Sequence, residues 1–258
     1  MIRRTVREPV TYSGRGLHTG RPVTVTIHPS DTGIAFRYDD TRVPASPSSV
    51  TDTRWRTTLG AVGTVEHLMS AFAGLGITDA EVELSYPELP ALDGSAAHYL
   101  TLPPQPLGEA EISLPRREIK VEASGGAITV RPGSGTWAYT FRHATKIQTV
   151  TCQLPQDYPA EVAPARTFAP VDQVPALRAQ GLGQGLEETS VLLLGPHGPT
   201  TTPRFPDEPA RHKLLDLIGD LYLTGIPINL LDVTARFTGH TTNVRMAELL
   251  ASARGRRR

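Results

Sequence analysis

One order of hydrophobic pattern occurs twice in this chain, and it limits the possible fold more than any single motif. In the first half, Val23, Val25 and Ile27 alternate with Thr24 and Thr26, and glycines at 14, 16, 20 and 33 punctuate the stretch 5–36. That pattern predicts antiparallel strands joined by tight turns. Residues 63–76, GTVEHLMSAFAGLG, then place Val65, Leu68, Met69, Phe72 and Leu75 at helical spacing. The spacing predicts a helix capped by Thr64 and ended at Gly74 or Gly76. A strand over 80–84 should follow. The second half repeats the plan, with strands predicted at 118–121 and 127–130 and a helix over 208–223. The apolar side of that helix carries Leu214, Leu215, Ile218, Leu221 and Tyr222, and an apolar strand is expected around 228–233. Each central helix has a histidine in its first turns, His67 or His212, and each is followed by Gly-Ile, at 76–77 and 225–226. The letters barely match but the order of elements does, which predicts an α+β protein of two similarly built domains, each a sheet covered by helix. The expected division is 1–112 and 113–258. The stretch 102–113, with three prolines, a glycine and no periodicity, is the expected linker.

Composition removes several function classes. The 258 residues carry 26 Lys+Arg and 26 Asp+Glu, so there is no overall basic field to hold a nucleic acid, and DNA or RNA is not an expected partner. The single cysteine, Cys152, excludes an internal disulfide and a cysteine-built zinc knuckle, which fits a reducing compartment. The start, MIRRTVREPV, lacks an apolar signal segment, and no run approaches the ~20 apolar residues of a membrane span. A soluble, cytoplasmic protein is expected. The basic stretch 253–258 is expected to be a solvated tail, with a weak membrane-surface contact as the alternative.

The chemistry lies in a few spaced side chains. In His212-Lys-Leu-Leu-Asp216 the histidine and the aspartate are four residues apart, so on a helix they share a face with β-carbons about 5–6 Å apart. They could give two ligands to one metal. Glu66-His67 is the natural donor of the third, because adjacent helical positions diverge by about 100° and let His67 bind while Glu66 leans over an open coordination position. Two neutral imidazoles and one carboxylate leave Zn²⁺ with net positive charge and room for water, the arrangement of catalytic rather than structural zinc. Glu66 is then the expected general base. Gly239-His240 offers a further histidine as general acid, and Asp220, eight residues after His212, would raise its pKa and keep it cationic. Each motif taken alone reads equally well as helix capping or surface ion pairing.

Together the strings Gly16-Leu-His-Thr-Gly20, Thr64-Val-Glu-His-Leu, Leu92-Asp-Gly-Ser-Ala, Ala163-Pro-Ala-Arg-Thr-Phe168, Arg211-His-Lys-Leu-Leu-Asp-Leu-Ile-Gly-Asp220 and Gly239-His240 closely resemble the zinc-dependent UDP-3-O-acyl-N-acetylglucosamine deacetylases of lipid A synthesis. The resemblance runs in order from about residue 3 to residue 252. It implies two βα domains packed face to face with the active site between them. It also implies zinc ligands His67, His212 and Asp216, general base Glu66 and general acid His240, with Asp220 orienting or charging His240. Thr167 would stabilise the oxyanion, Phe168 and Lys213 would contact substrate, and His18 would lie near the site. Lys213 also makes sense by itself, as an ammonium suited to a diphosphate. Fe²⁺ is accommodated by the same ligand types as Zn²⁺.

The departures from the family concern substrate. The stretch 52–63 looks trimmed where the family inserts a small extra sheet, and Trp55 and Arg56 stand where smaller or aliphatic residues are usual. The family's His-Pro pair is His143-Ala144 here, and Ala169 follows Phe168 in place of glycine. An apolar passage for the acyl chain is expected over 168–194, lined by Val171, Val174, Leu177, Leu182 and Leu186, with 191–194 as its strand. Two alternatives stay open: a deacetylase of another N-acetylated sugar nucleotide or glycolipid, and a non-catalytic sugar-nucleotide-binding protein with a remnant site. Asp93-Gly-Ser95 is expected to build a turn, Trp137 and Cys152 to be core, and His28, His98, His143 and His197 to serve no site.

Overall fold

The computed structural model describes residues 1–123, 125–144 and 146–253. The arginines of the expected basic tail, at 254 and 256–258, lie outside the described residues. The first half contributes β1 (Ile2–Val6), β2 (Val10–Arg15), β3 (Pro22–His28), β4 (Ile34–Tyr38), β5 (Thr41–Pro44), β6 (Val50–Asp52), β7 (Thr58–Leu59), α1 (Glu66–Leu75) and β8 (Ala80–Leu84). After β9 (Pro104–Glu109) come β10 (Ile119–Ala123), β11 (Gly126–Pro132), β12 (Thr136–His143) and β13 (Lys146–Gln153). The chain continues through β14 (Phe168–Pro170), α2 (Val174–Ala179), β15 (Leu192–Gly195), β16 (Gly198–Pro199), α3 (Glu208–Tyr222), β17 (Leu231–Arg236) and α4 (His240–Ala253).

Two five-stranded sheets repeat one topology, β2-β3-β8-β4-β5 and β10-β11-β17-β12-β13. In each, two hairpins form first, the chain crosses through a helix, and the last strand enters between the hairpins. That strand runs antiparallel to one neighbour and parallel to the other: β8 to β3 and β4, β17 to β11 and β12. The α+β class with two sheet-rich halves follows directly.

The crossing helices, α1 and α3, pack against each other. Phe36, Leu68 and Phe72 on one side and Trp137, Tyr139, Leu214 and Ile218 on the other are buried in one continuous core. Gly219 permits this approach, since a β-carbon there would overlap the carbonyl oxygen of Glu66. Tyr158 adds a tie, with its ring against Gly74 and its hydroxyl 2.9 Å from Ser70 Oγ. No helix among the described residues is long and apolar enough to cross a membrane.

Three local expectations are corrected. Thr64 does not cap α1: it adopts φ 62° and turns its hydroxyl to Glu88 at 3.3 Å, while Val65 occupies the cap position. The helix does end at Gly76, whose φ of 68° lets its N–H reach the carbonyls of Ala73 and Phe72. The expected linker contains β9, paired antiparallel with β1. All six of its residues are exposed, so there is no burial period to read, and its prolines are tolerated because both strands of this two-stranded sheet are edges. The strand expected at 228–233 begins as a tight turn over Ile228–Leu230 and becomes extended only at Leu231.

Candidate metal centre

α1 and α3 bring three donor side chains together at the contact between the two halves. His67, His212 and Asp216 are buried, and one ligand atom from each lies within 4.8 Å of the others. His212 Nε2 is 3.4 Å and His67 Nε2 3.9 Å from Asp216 Oδ1, and the two imidazoles stand edge to face with centroids 5.1 Å apart. Two ligand atoms on a tetrahedral zinc are about 3.3–3.4 Å apart, so the donor spacing fits a small divalent ion.

Charge fits as well. Burial, reinforced by His212, holds the His67 pKa down at about 3, and burial also lowers that of His212. Burial works against ionisation of Asp216, but Lys213 and the histidines outweigh it and keep the carboxylate charged. Two lone pairs and one anion therefore face the same point.

The surrounding residues fix these orientations. His212 Nδ1 is 3.0 Å from the carbonyl oxygen of Ala165, which assigns its proton to Nδ1 and leaves Nε2 bare. The neighbouring Arg166 is locked to Glu208, in the first turn of α3, through Nε at 2.8 Å and its backbone N–H at 3.0 Å. Lys213 Nζ donates to Asp216 Oδ2 at 2.7 Å and lies 5.9 Å from the Phe168 ring centroid, while Phe168 itself stands edge-on to His212. Burial opposes the charge of Lys213, and Asp216 more than compensates, raising its pKa above the usual lysine value.

Glu66 and His240 lie beside the donors. His240, the first residue of α4, places Nε2 4.0 Å from Glu66 Oε1 and 3.9 Å from Asp216 Oδ2. Its Nδ1 is 2.9 Å from Asp220 Oδ2, which also accepts from Asn243 Nδ2 at 2.9 Å. Burial raises the Glu66 pKa to about 7, with His240 opposing the rise. Burial disfavours the imidazolium of His240, but Asp220, Glu66 and Asp216 outweigh it and lift the pKa to about 9. A carboxyl pushed up and an imidazole pushed further up beside one cleft are chemically able to accept and to donate a proton near neutral pH.

Two groups with no sequence signal complete the surroundings. Thr57 is fully buried and contacts both sides of the cleft: its N–H reaches Glu66 Oε2 at 3.0 Å and its hydroxyl reaches Asp220 Oδ1 at 2.5 Å. Glu88, also buried, accepts from the backbone of His18 at 2.8 Å and Thr19 at 2.9 Å and pairs with Arg56 at 3.1 Å. Arg56, unexplained by the sequence, thus clamps the stretch 52–63 to the 16–20 turn. β7, within that stretch, pairs antiparallel with β6, which ends at the first residue of the stretch, to form a two-stranded sheet. Trp55 is 57% exposed, with φ 65°.

One cavity of about 930 Å³ is lined by the donors, Glu66, His240, Lys213, Thr167 and Phe168, and Trp55 and His18 also line it. The burial of His18 holds its pKa down at about 4, and its Nδ1 accepts from Gly183 N–H at 3.3 Å, so the ring helps seat the wall of the cavity. The segment 168–194 lines it with Val174, Leu177, Leu182, Leu186, Val191 and Leu193, together with Gln173, Arg178, Glu187 and Glu188. Val171, expected there, is 40% exposed and is not part of the lining. The strand expected at 191–194 is β15, paired in parallel with β14; Leu192 and Leu194 are buried and Leu193 lines the cavity.

The other conspicuous residues divide. Gly94, φ 79°, presses on the Ser190 carbonyl, and Asp93 Oδ1 accepts from the Ser95 hydroxyl at 2.8 Å, so this segment is a turn as expected. Trp137 and Cys152 are buried. His143 does line the cavity, and His28 pairs with Glu83 at 3.1 Å on the outer face of its sheet.

A cavity that offers three donor atoms to one cation, with groups able to accept and to donate a proton alongside, is the equipment of a metal-dependent hydrolase. Comparison with known proteins narrows the class. The family model described as LpxC, UDP-3-O-acyl N-acetylglycosamine deacetylase, matches residues 3–252, and the chain belongs to that family. Among its relatives, the UDP-3-O-acyl-N-acetylglucosamine deacetylase of Chromobacterium violaceum is 38% identical over 93% of this chain and 86% of its own. Those of Cellvibrio japonicus and Phenylobacterium zucineum are 35% and 36% identical, covering 96% and 98% of this chain and 89% and 94% of theirs.

Proposed function

We propose that this protein hydrolyses the N-acetyl group of a UDP-3-O-acyl-N-acetylglucosamine, releasing acetate and the free 2-amine, with zinc held by His67, His212 and Asp216. The observation that carries the reading is the joint placement of Glu66 and His240 beside the three-donor cluster. A divalent ion there supplies Lewis acidity to the amide carbonyl and to an attacking water. Two imidazoles and a carboxylate suit Zn²⁺, and Fe²⁺ uses the same ligand types.

The side chains supply the rest. Glu66, with a pKa of about 7, takes the proton of water as its oxygen bonds to the acetyl carbon. The Thr167 hydroxyl donates to the oxygen that gains charge. His240, protonated below about 9, gives its Nε2 proton to the nitrogen as the C–N bond breaks. Lys213 and Phe168 contact the sugar nucleotide, His18 seats the cavity wall, and the apolar side chains of the segment 168–194 take the acyl chain. The cytoplasm, where sugar nucleotides are made, is the proposed site of action, and the units 1–112 and 113–258 are the proposed domains.

The test is acetate release by zinc-loaded protein from acylated and unacylated UDP-N-acetylglucosamine. Preference for the acylated sugar, and loss of at least ~10²-fold in Glu66→Ala, is expected. Preference for the unacylated sugar would assign the enzyme to a different N-acetylated substrate. Sugar-nucleotide binding without turnover would mark a remnant site.

A further inference from the structure

Thr57, immediately before β7, touches both groups that move protons in the proposed reaction. A threonine hydroxyl has one proton to give. It lies 2.5 Å from Asp220 Oδ1 and 3.2 Å from His240 Nδ1, and the shorter, charge-assisted bond to the carboxylate takes it. Only a lone pair of Oγ1 then faces His240. Nδ1 is thus approached by two acceptors, Thr57 Oγ1 and Asp220 Oδ2, and must carry hydrogen.

That assignment fixes the working atoms. With Nδ1–H pinned, the proton that His240 exchanges sits on Nε2, the nitrogen facing Glu66 Oε1 and Asp216 Oδ2. On the other side, the Thr57 backbone N–H occupies Glu66 Oε2. Oε1 is left as the oxygen that receives the proton from water.

We propose that Thr57 is a positioning residue for this reaction: its hydroxyl fixes the His240–Asp220 pair, and so which nitrogen gives a proton, while its backbone N–H holds Glu66 Oε2. The inference rests on the hydrolytic reading above, and nothing in the sequence motifs assigns Thr57 a role.

The test compares zinc-loaded wild type with Thr57→Val, Thr57→Ala and Thr57→Ser. All keep the backbone N–H, and only serine keeps the hydroxyl. Valine and alanine should lower kcat by roughly 10- to 100-fold, the cost of slight misplacement of a reacting group, with KM and zinc content nearly unchanged and a fall of a few degrees in melting temperature from the unpaired Asp220 oxygen. Serine should restore kcat to within a few-fold. A second readout needs no substrate: the downfield ring N–H resonance of His240, identified by its disappearance in His240→Gln, should move in valine and alanine and stay in serine. Wild-type kcat with an unmoved resonance in the hydroxyl-free variants would overturn the proposal. So would serine failing alongside them with loss of zinc or of the fold, which would make the role structural. If the wild type itself releases no acetate, the hydrolytic reading fails, and the resonance still decides whether Thr57 pins His240.

Discussion

Gly219 of α3 lies so close to the backbone of Glu66 in α1 that a β-carbon at 219 would overlap the Glu66 carbonyl oxygen and stand 2.8 Å from its carbonyl carbon. Asp216 and Asp220 flank this glycine on α3, and His67 follows Glu66 on α1. The distance between the two halves of the site is therefore set by the missing side chain at one position.

Gly219→Ala tests that relation. Helix propensity alone favours alanine by about 1 kcal/mol, while forcing apart a packed contact costs about 1–3 kcal/mol. A net fall in melting temperature is expected, by about 2–4 °C for each kcal/mol, together with weaker zinc retention. A rise in melting temperature with unchanged zinc binding would show that the helices do not meet there.

The pH profile follows from two raised pKa values. Glu66 must be ionised to accept a proton, so activity should rise as pH passes about 7; His240 must be protonated to donate one, so activity should fall as pH passes about 9. Asp220→Asn removes the charge that most supports the imidazolium, and the alkaline limb should move to lower pH. An alkaline limb that stays in place would assign it to another group.

The apolar side chains of the segment 168–194 can be enlarged without altering the three donors, Glu66 or His240. Leu186→Trp should raise KM for long-acyl substrates by tenfold or more, since each lost buried methylene is worth about 0.8 kcal/mol, and leave short-acyl turnover nearly intact. Equal losses for both lengths would place the acyl chain elsewhere.

The sequence showed the parts of the site that depend on regular spacing. His212 and Asp216 are four apart on a helix whose apolar stripe is plain, and the repeated element order revealed the paired sheets. It did not show Thr57 or Glu88, because a buried polar residue in a loop has no period and its partners are distant: Asp220 is 163 residues from Thr57 and His18 is 70 from Glu88. It misread 102–113 because a fully exposed strand has no apolar face to alternate. Val171 was misplaced for the opposite reason, since a valine in a short turn reads as core until its exposure is known.

The most direct measurement is anomalous diffraction at the zinc edge from crystals of the metal-loaded protein. One peak bounded by His67 Nε2, His212 Nε2 and an Asp216 oxygen, each at about 2.0–2.2 Å, is the expected result. A peak held by other residues, or one that excludes His67, would contradict a metal site shared between the two halves.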